Sequence, residues 1–204
     1  MKPAPFKKYK LEHLGTSYAP TEQSPNCNRF GLNSTPKKVY EIINTGKEIW
    51  KVVKDNKPKV NLHINAANAL PKNIDHWSSM ECWMPTAFQK FRITYDNIFN
   101  IEVLKLEFKV QYTYGGQWQG QGHYLKNVTV IPTKVEVAWA HELNVSVHID
   151  NIVNLNSVEF PIAGMEVNLF WDFENPVNHV QESESYFING QGHFMELNQW
   201  TVPQ

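Results

Sequence analysis

From Ile101 to Ile131 the chain alternates so regularly that little besides a β-hairpin will accept it. Leu104, Leu106, Phe108, Val110, Tyr112 and Tyr114 stand at every second position, with Lys105, Glu107, Lys109, Gln111 and Thr113 between them. A period of two sends successive side chains to opposite faces of a strand, so one face is large and apolar and the other polar. Gly115-Gly116 follows, and a glycine pair accepts the positive φ of a tight reversal. The return run from Gln117 to Ile131 carries Trp118, Tyr124, Val128 and Val130 on its even positions. The expectation is a long antiparallel hairpin, turned at Gly115-Gly116, with one buried face.

The same period recurs along the chain. Val60, Leu62 and Ile64 alternate, as do Phe91, Ile93 and Tyr95, then Val135 to Trp139, Leu143 to Ile149, Val158 to Ile162 and Met165 to Phe173. Tyr186 to Leu197 reads as one more strand or hairpin. Roughly nine strands separated by turn signals predict a mostly β domain over residues 59–204, a two-sheet antiparallel β-sandwich. Ala66 to Pro85 reads as an irregular connection whose Trp77 and Trp83 plug one end of the sandwich. A chain of 204 residues that is 42% hydrophobic and 13% aromatic is large enough for one sizeable core.

The N-terminal third reads differently. Residues 1–35 hold four prolines and no sustained period, and Ser17 to Ser34 is rich in Ser, Thr, Asn and Pro, which predicts an irregular arm. Residues 36–55 match a helical template. Ser34 or Thr35 can cap it, Pro36 suits its first turn, and Val39, Ile42, Ile43, Gly46, Ile49, Trp50 and Val53 fall on one stripe. Asp55-Asn56-Lys57-Pro58 would end it. An amphipathic α-helix over 36–55 would cover a sheet face. Its second use is to lie in a membrane interface, with Trp50 on the apolar side and Lys47, Lys51 and Lys54 toward lipid headgroups.

Charge and cysteine content narrow the partners. Residues 1–60 carry 11 Lys and one Arg against five acids, whereas residues 61–204 carry six Lys and one Arg against 15 acids. A basic arm on an acidic body, with only Arg29 and Arg92 as arginines, disfavours a guanidinium-based nucleic-acid site and leaves peripheral contact with an anionic membrane open. No apolar run reaches the length of a membrane span and no leader of signal-peptide form opens the chain, which points to a cytoplasmic or non-classically secreted protein. Two cysteines, Cys27 and Cys82, make no disulfide framework and are expected as thiols. Eight histidines occur without metal-ligand spacing, and no nucleophile elbow or phosphate-binding loop is present, so no metal, cofactor or catalytic residue is expected.

One motif repeats. Gly120-Gln121-Gly122-His123-Tyr124-Leu125 returns as Gly190-Gln191-Gly192-His193-Phe194-Met195. The glycines share parity with the following aromatic and would face inward, leaving Gln121, His123, Gln191 and His193 outward. If the copies meet in space, these four and Trp118 form a ligand-binding patch. The leading functional expectation is a non-enzymatic module that recognises a protein, glycan or other surface through a sandwich face. A membrane-active secreted toxin or effector using the helix is the alternative, and a hydrolase with a site in a sandwich cleft is a third.

Overall fold

The computed structural model describes residues 6–20, 42–44, 47–53 and 59–197; for residues 44 and 47–53 it describes the backbone alone. Among these residues eleven strands follow one another: β1 (Lys10–Tyr18), β2 (Ile42–Asn44), β3 (Lys47–Val53), β4 (Lys59–Pro71), β5 (Ala87–Asp96), β6 (Glu102–Trp118), β7 (Gln121–Val137), β8 (Glu142–Asn154), β9 (Ala163–Asn175), β10 (Asn178–Asn189) and β11 (Phe194–Glu196). A single 3-10 turn, Trp77–Ser79, lies between β4 and β5.

The mostly β expectation holds, but the two-sheet antiparallel sandwich does not. All strands belong to one mixed sheet, ordered β1-β5-β6-β7-β4-β8-β9-β10-β11, with β2 and β3 also paired to β4. The reason lies in β4. Its first half, Lys59 to Ile64, pairs in parallel with Glu142 to Val147 of β8. Its second half, Ala66 to Ala69, pairs antiparallel with β7. One strand thus welds two antiparallel meanders that would otherwise be separate sheets. The sheet then curls until strands far apart in its order meet. Phe91 of β5 lies 4.9 Å from Tyr186 of β10, and Tyr95 lies 5.4 Å from Phe173 of β9. Trp171 Nε1 donates to Tyr95 Oη at 3.0 Å. All five rings are nearly inaccessible to solvent, and each buried aromatic contributes about 2–3 kcal/mol by area alone.

The amphipathic helix over 36–55 is replaced, where the chain is described, by strand. Ile42–Asn44 and Lys47–Val53 both pair antiparallel with β4, Ile42 opposite Pro71 and Val53 opposite Val60, in one common register. Five of these ten residues, Ile42, Ile43, Ile49, Val52 and Val53, are β-branched, and such side chains lose rotamers in a helix but fit a pleated surface. The free edge of β4 offers ladder hydrogen bonds that outweigh a weak helical propensity. The irregular arm likewise contains β1, nine residues long, paired antiparallel with β5.

The central hairpin forms, but its reversal is elsewhere. β6 runs straight through Gly115-Gly116, and the two-residue turn is Gln119-Gly120, closed by the Trp118–Gln121 pair. Both turn residues have positive φ, 52° and 73°, the requirement of a type I′ hairpin. Gly115 and Gly116 serve packing instead. A Cβ on Gly116 would lie 2.3 Å from the Trp83 ring, and the amide of Gly115 donates to the Gly190 carbonyl at 2.9 Å. The short strand expected over Val158, Phe160 and Ile162 is part of a loop instead, with Ile162 in an isolated bridge to His123. Asn154 Oδ1 accepts from the amides of Asn156 and Ile162, and Ser157 Oγ accepts from Phe160, so local side chains compete with the ladder. Cys82 is disulfide-bonded rather than a thiol; the other cysteine, Cys27, lies outside the described residues. Cysteine counting reports how common bridges are, not which residues meet in space.

Candidate functional site

The outer face of β4, β8, β9 and β10 is where polar chemistry is concentrated. Register places Asn61 opposite Asn144, Asn144 opposite Asp172, and Asp172 opposite Gln181. The neighbouring row runs His63, Ser146, Phe170 and Ser183 in the same way. These residues stand outward because Leu143, Val145 and Val147, and Leu169, Trp171 and Phe173, occupy the buried parity of the same strands. A groove of ≈530 Å³ runs along this face, lined among others by Asn61, His63, Asn144, Ser146, Phe170, Asp172 and Gln181. Asn61 Nδ2 donates to Asn144 Oδ1 at 2.6 Å, and Gln181 Nε2 donates to Asp172 Oδ2 at 3.2 Å. Phe170 is 44% exposed, with the His148 ring edge-on at 5.7 Å and His63 a further 6.2 Å from His148. A flat apolar ring thus sits in a field of amides, hydroxyls and one carboxylate. The signal was present in the sequence: Leu169-Phe170-Trp171 puts an apolar residue at the polar parity.

The hexapeptide copies do meet, backbone to backbone. Each lies where one strand reverses into the next, and a Cβ on Gly190 would fall 2.0 Å from the His123 carbonyl oxygen. The side chains do not all share one face. Gln121 is buried, His123 and Trp118 are half-buried, and Gln191 and His193 are exposed. The parity expected for Gln121 fails because Gly122 has φ +78°, which interrupts the alternation between it and Tyr124. Trp118 packs on the small cluster of Leu70, Met80 and Tyr124. The His123 amide donates to the Pro161 carbonyl at 2.8 Å, and burial pushes its imidazole pKa down. The second copy is organised by Asn189, whose Oδ1 accepts from the amides of Gln191 and His193 at 3.0 and 3.1 Å.

Of the residues assigned to a membrane-facing helix, Lys47, Trp50 and Lys51 belong to β3 and stand opposite Ala66, His63 and Leu62; Lys54 lies outside the described residues. Trp77 and Trp83 are half-buried and hold the Lys126 ammonium 3.9 and 4.5 Å from their ring centres. Desolvation there lowers the Lys126 pKa.

Two clusters of titratable groups stand out among the described residues. Asp172, Glu174 and His179 bring three ligand-type atoms within 4.8 Å of one another. His179 Nε2 lies 2.8 Å from Asp172 Oδ1, so a hydrogen-bonded pair already accounts for the geometry. Glu184 is buried on the inner face of β10, where Tyr9 Oη donates to it at 2.7 Å. Desolvation raises its pKa, opposed by that hydrogen bond. Around it lie Tyr9, Glu182 and Glu196, a tyrosine and two further acids. No family model, curated protein or solved structure matches this chain.

Proposed function

We propose that the protein is a non-enzymatic binding module that takes a glycan on the outer face of β4, β8, β9 and β10. The observation that carries this reading is Phe170, exposed in the groove among Asn144, Asp172 and Gln181. A pyranose presents an apolar C–H face and a rim of hydroxyls. An aromatic ring accepts the first, and amide and carboxylate groups supply paired donors and acceptors for the second. The groove volume of ≈530 Å³ falls within the usual span of ligand clefts, about 300–1,000 Å³. Rigid strands, rather than loops, hold every lining group, which limits the ordering cost of binding.

The test is titration of the full chain with a panel of soluble neutral oligosaccharides, followed by nuclear magnetic resonance or calorimetry. Saturable binding that falls about tenfold in Phe170→Ala, the scale of one lost aromatic contact, supports the reading. Binding unchanged in Phe170→Ala but lost in the His123→Ala, His193→Ala double variant would move the site to the hexapeptide end. No binding to any member of the panel would sink the glycan assignment.

A further inference from the structure

Three strand connections meet at one end of the molecule: the hairpin turns 97–101 between β5 and β6 and 176–177 between β9 and β10, and the link 138–141 that carries the chain from β7 past β4 to β8. Contacts tie them together. Phe6 bridges to Asn97, and its ring lies 5.7 Å from that of His141. The Ala138 amide donates to the Val103 carbonyl at 2.9 Å, and His141 Nε2 is 3.3 Å from Asn175 Nδ2. Turn tips are ordinarily the most polar part of a β protein. Here each carries a large apolar residue in solvent: Phe99 is 69% exposed, Trp139 78% and Val177 51%, with Ile98 and Ile101 beside Phe99 at 48% and 59%.

These side chains are held out by their own turns. Asn97 Oδ1 accepts from the amides of Phe99 and Ile101, and Asn175 Oδ1 does the same for Val177 and Asn178. Asn100 and Ala140, each following an exposed aromatic, take positive φ, 59° and 64°. The apolar tips are therefore pre-organised rather than incidental, and exposed large apolar side chains gathered at one end of a molecule mark a contact site.

The surrounding charge indicates the partner. Asp96, Glu102, Glu136 and Glu142 each have a lysine within 4 Å: Lys10, Lys105, Lys134 and Lys59. Glu174 stands opposite His179 across the strand pair, and that imidazole is already hydrogen-bonded to Asp172 at 2.8 Å. Lys7, whose ammonium rests on Asn100 Oδ1, and Lys8 are exposed beside the tips with no carboxylate partner among the described residues. Exposed Trp and Phe at the apex, with unmatched lysines behind them, is the arrangement that suits a bilayer interface bearing anionic headgroups. We infer that this end of the molecule docks on an anionic membrane surface, inserting Phe99 and Trp139 between headgroups without spanning the bilayer. The device is a set of strand turns, not the helix that the N-terminal sequence suggests.

Flotation of the full chain with phosphatidylcholine vesicles containing one-third phosphatidylserine tests the inference. The wild-type chain is expected to float at low salt. Phe99→Ser and Trp139→Ser are each expected to weaken partitioning about tenfold, and the double variant to remain in solution. Phe160→Ser removes an aromatic that is 51% exposed on the β8–β9 loop, and it should float like the wild type. A wild-type chain that stays in solution, or a double variant that floats unchanged, overturns the proposal. So does equal flotation on phosphatidylcholine alone, or a vesicle-free dimer that the double variant abolishes, which would assign the tips to a second copy of the chain. Far-ultraviolet circular dichroism of each variant confirms that the fold is retained; should either serine variant unfold, Phe99→Leu and Trp139→Leu take their place, with weakening still expected and unchanged flotation still overturning it.

Discussion

Glycines in this chain differ in why they are glycine, and the difference is measurable. At Gly190 a Cβ would meet a backbone carbonyl, His123 O, at 2.0 Å, and backbone in a paired strand cannot step aside. At Gly116 it would meet the outer edge of the Trp83 ring at 2.3 Å, a side chain that can tilt, though its indole nitrogen is tied to the Trp77 carbonyl. At Gly120 nothing lies within 4 Å and the constraint is φ +73° alone. Alanine should therefore cost about 3 kcal/mol at Gly190, about 2 at Gly116 and about 1 at Gly120. Urea unfolding midpoints of the three variants give the order directly, and a Gly120→Ala chain less stable than Gly190→Ala would contradict the packing argument. At Glu184 the relevant quantity is pH. Its folded pKa is raised by burial, with Glu182 and Glu196 adding to the rise and the Tyr9 hydrogen bond opposing it. A group of that kind binds its proton more tightly in the folded state, so its contribution is fully present below the unfolded carboxyl range and is lost as pH rises through the folded value. Glu184→Gln should accordingly hold stability constant across the interval where the wild type declines. Thermal melts at a series of pH values check it, and an unchanged decline in the variant would place its origin in other groups.

At the scale of elements, legibility in the sequence depended on whether one face of a strand was plainly buried. The runs at β6, β8 and β9 were readable because Leu104 to Tyr112, Leu143 to Ile149 and Met165 to Phe173 sit at one parity and are buried there. The segment 42–53 was not. In β3 the run Lys47-Glu48-Ile49-Trp50-Lys51-Val52-Val53 mixes polar and apolar residues at both parities, and its apolar positions also match a 3.6-residue period. Only the density of β-branched residues argued for strand. The groove was hidden for a related reason. Its residues come from β4, β8, β9 and β10, and their adjacency depends on a parallel pairing between strands some 80 positions apart in sequence, as Asn61 with Asn144. Edge position should set local stability. Among the described residues β1 and β11 each pair along one side only, and β11 with just three residues, whereas β6 is flanked by β5 and β7 along much of its length. Amide hydrogen exchange should release β1 and β11 first and β6 last. Protection in β1 equal to that in β6 would show that the sheet ends are closed more tightly than their pairing indicates.

For the whole molecule the decisive feature is that one strand belongs to both halves. A sandwich reading treats β5-β6-β7 and β8-β9-β10 as layers that meet only through side chains. Here β4 adds a backbone bond to each, pairing Ala66 and Ala67 with β7 and Lys59 to Ile64 with β8, while β3 occupies its other side. A proline at Leu62 removes a ladder amide opposite Val145 and Lys51 and replaces a buried side chain. In two independent sheets the damage would stay with β8 and its neighbours. In a single curled sheet, loss of β4 also uncovers the edge of β7 and separates Phe91 and Tyr95 from Tyr186 and Phe173, since the curl that brings them together runs through β4. Leu62→Pro should thus lower hydrogen-exchange protection in β6 and β7 as well as in β8 and β9, and unfolding followed by tryptophan emission and by circular dichroism should remain a single coincident transition. Retained protection in β5–β7 with loss confined to β8–β10 would mean that the two meanders fold as separate units. The outer groove, which needs β4 beside β8, would then be the first feature to disappear, while the turn tip contributed by β5 and β6 would survive.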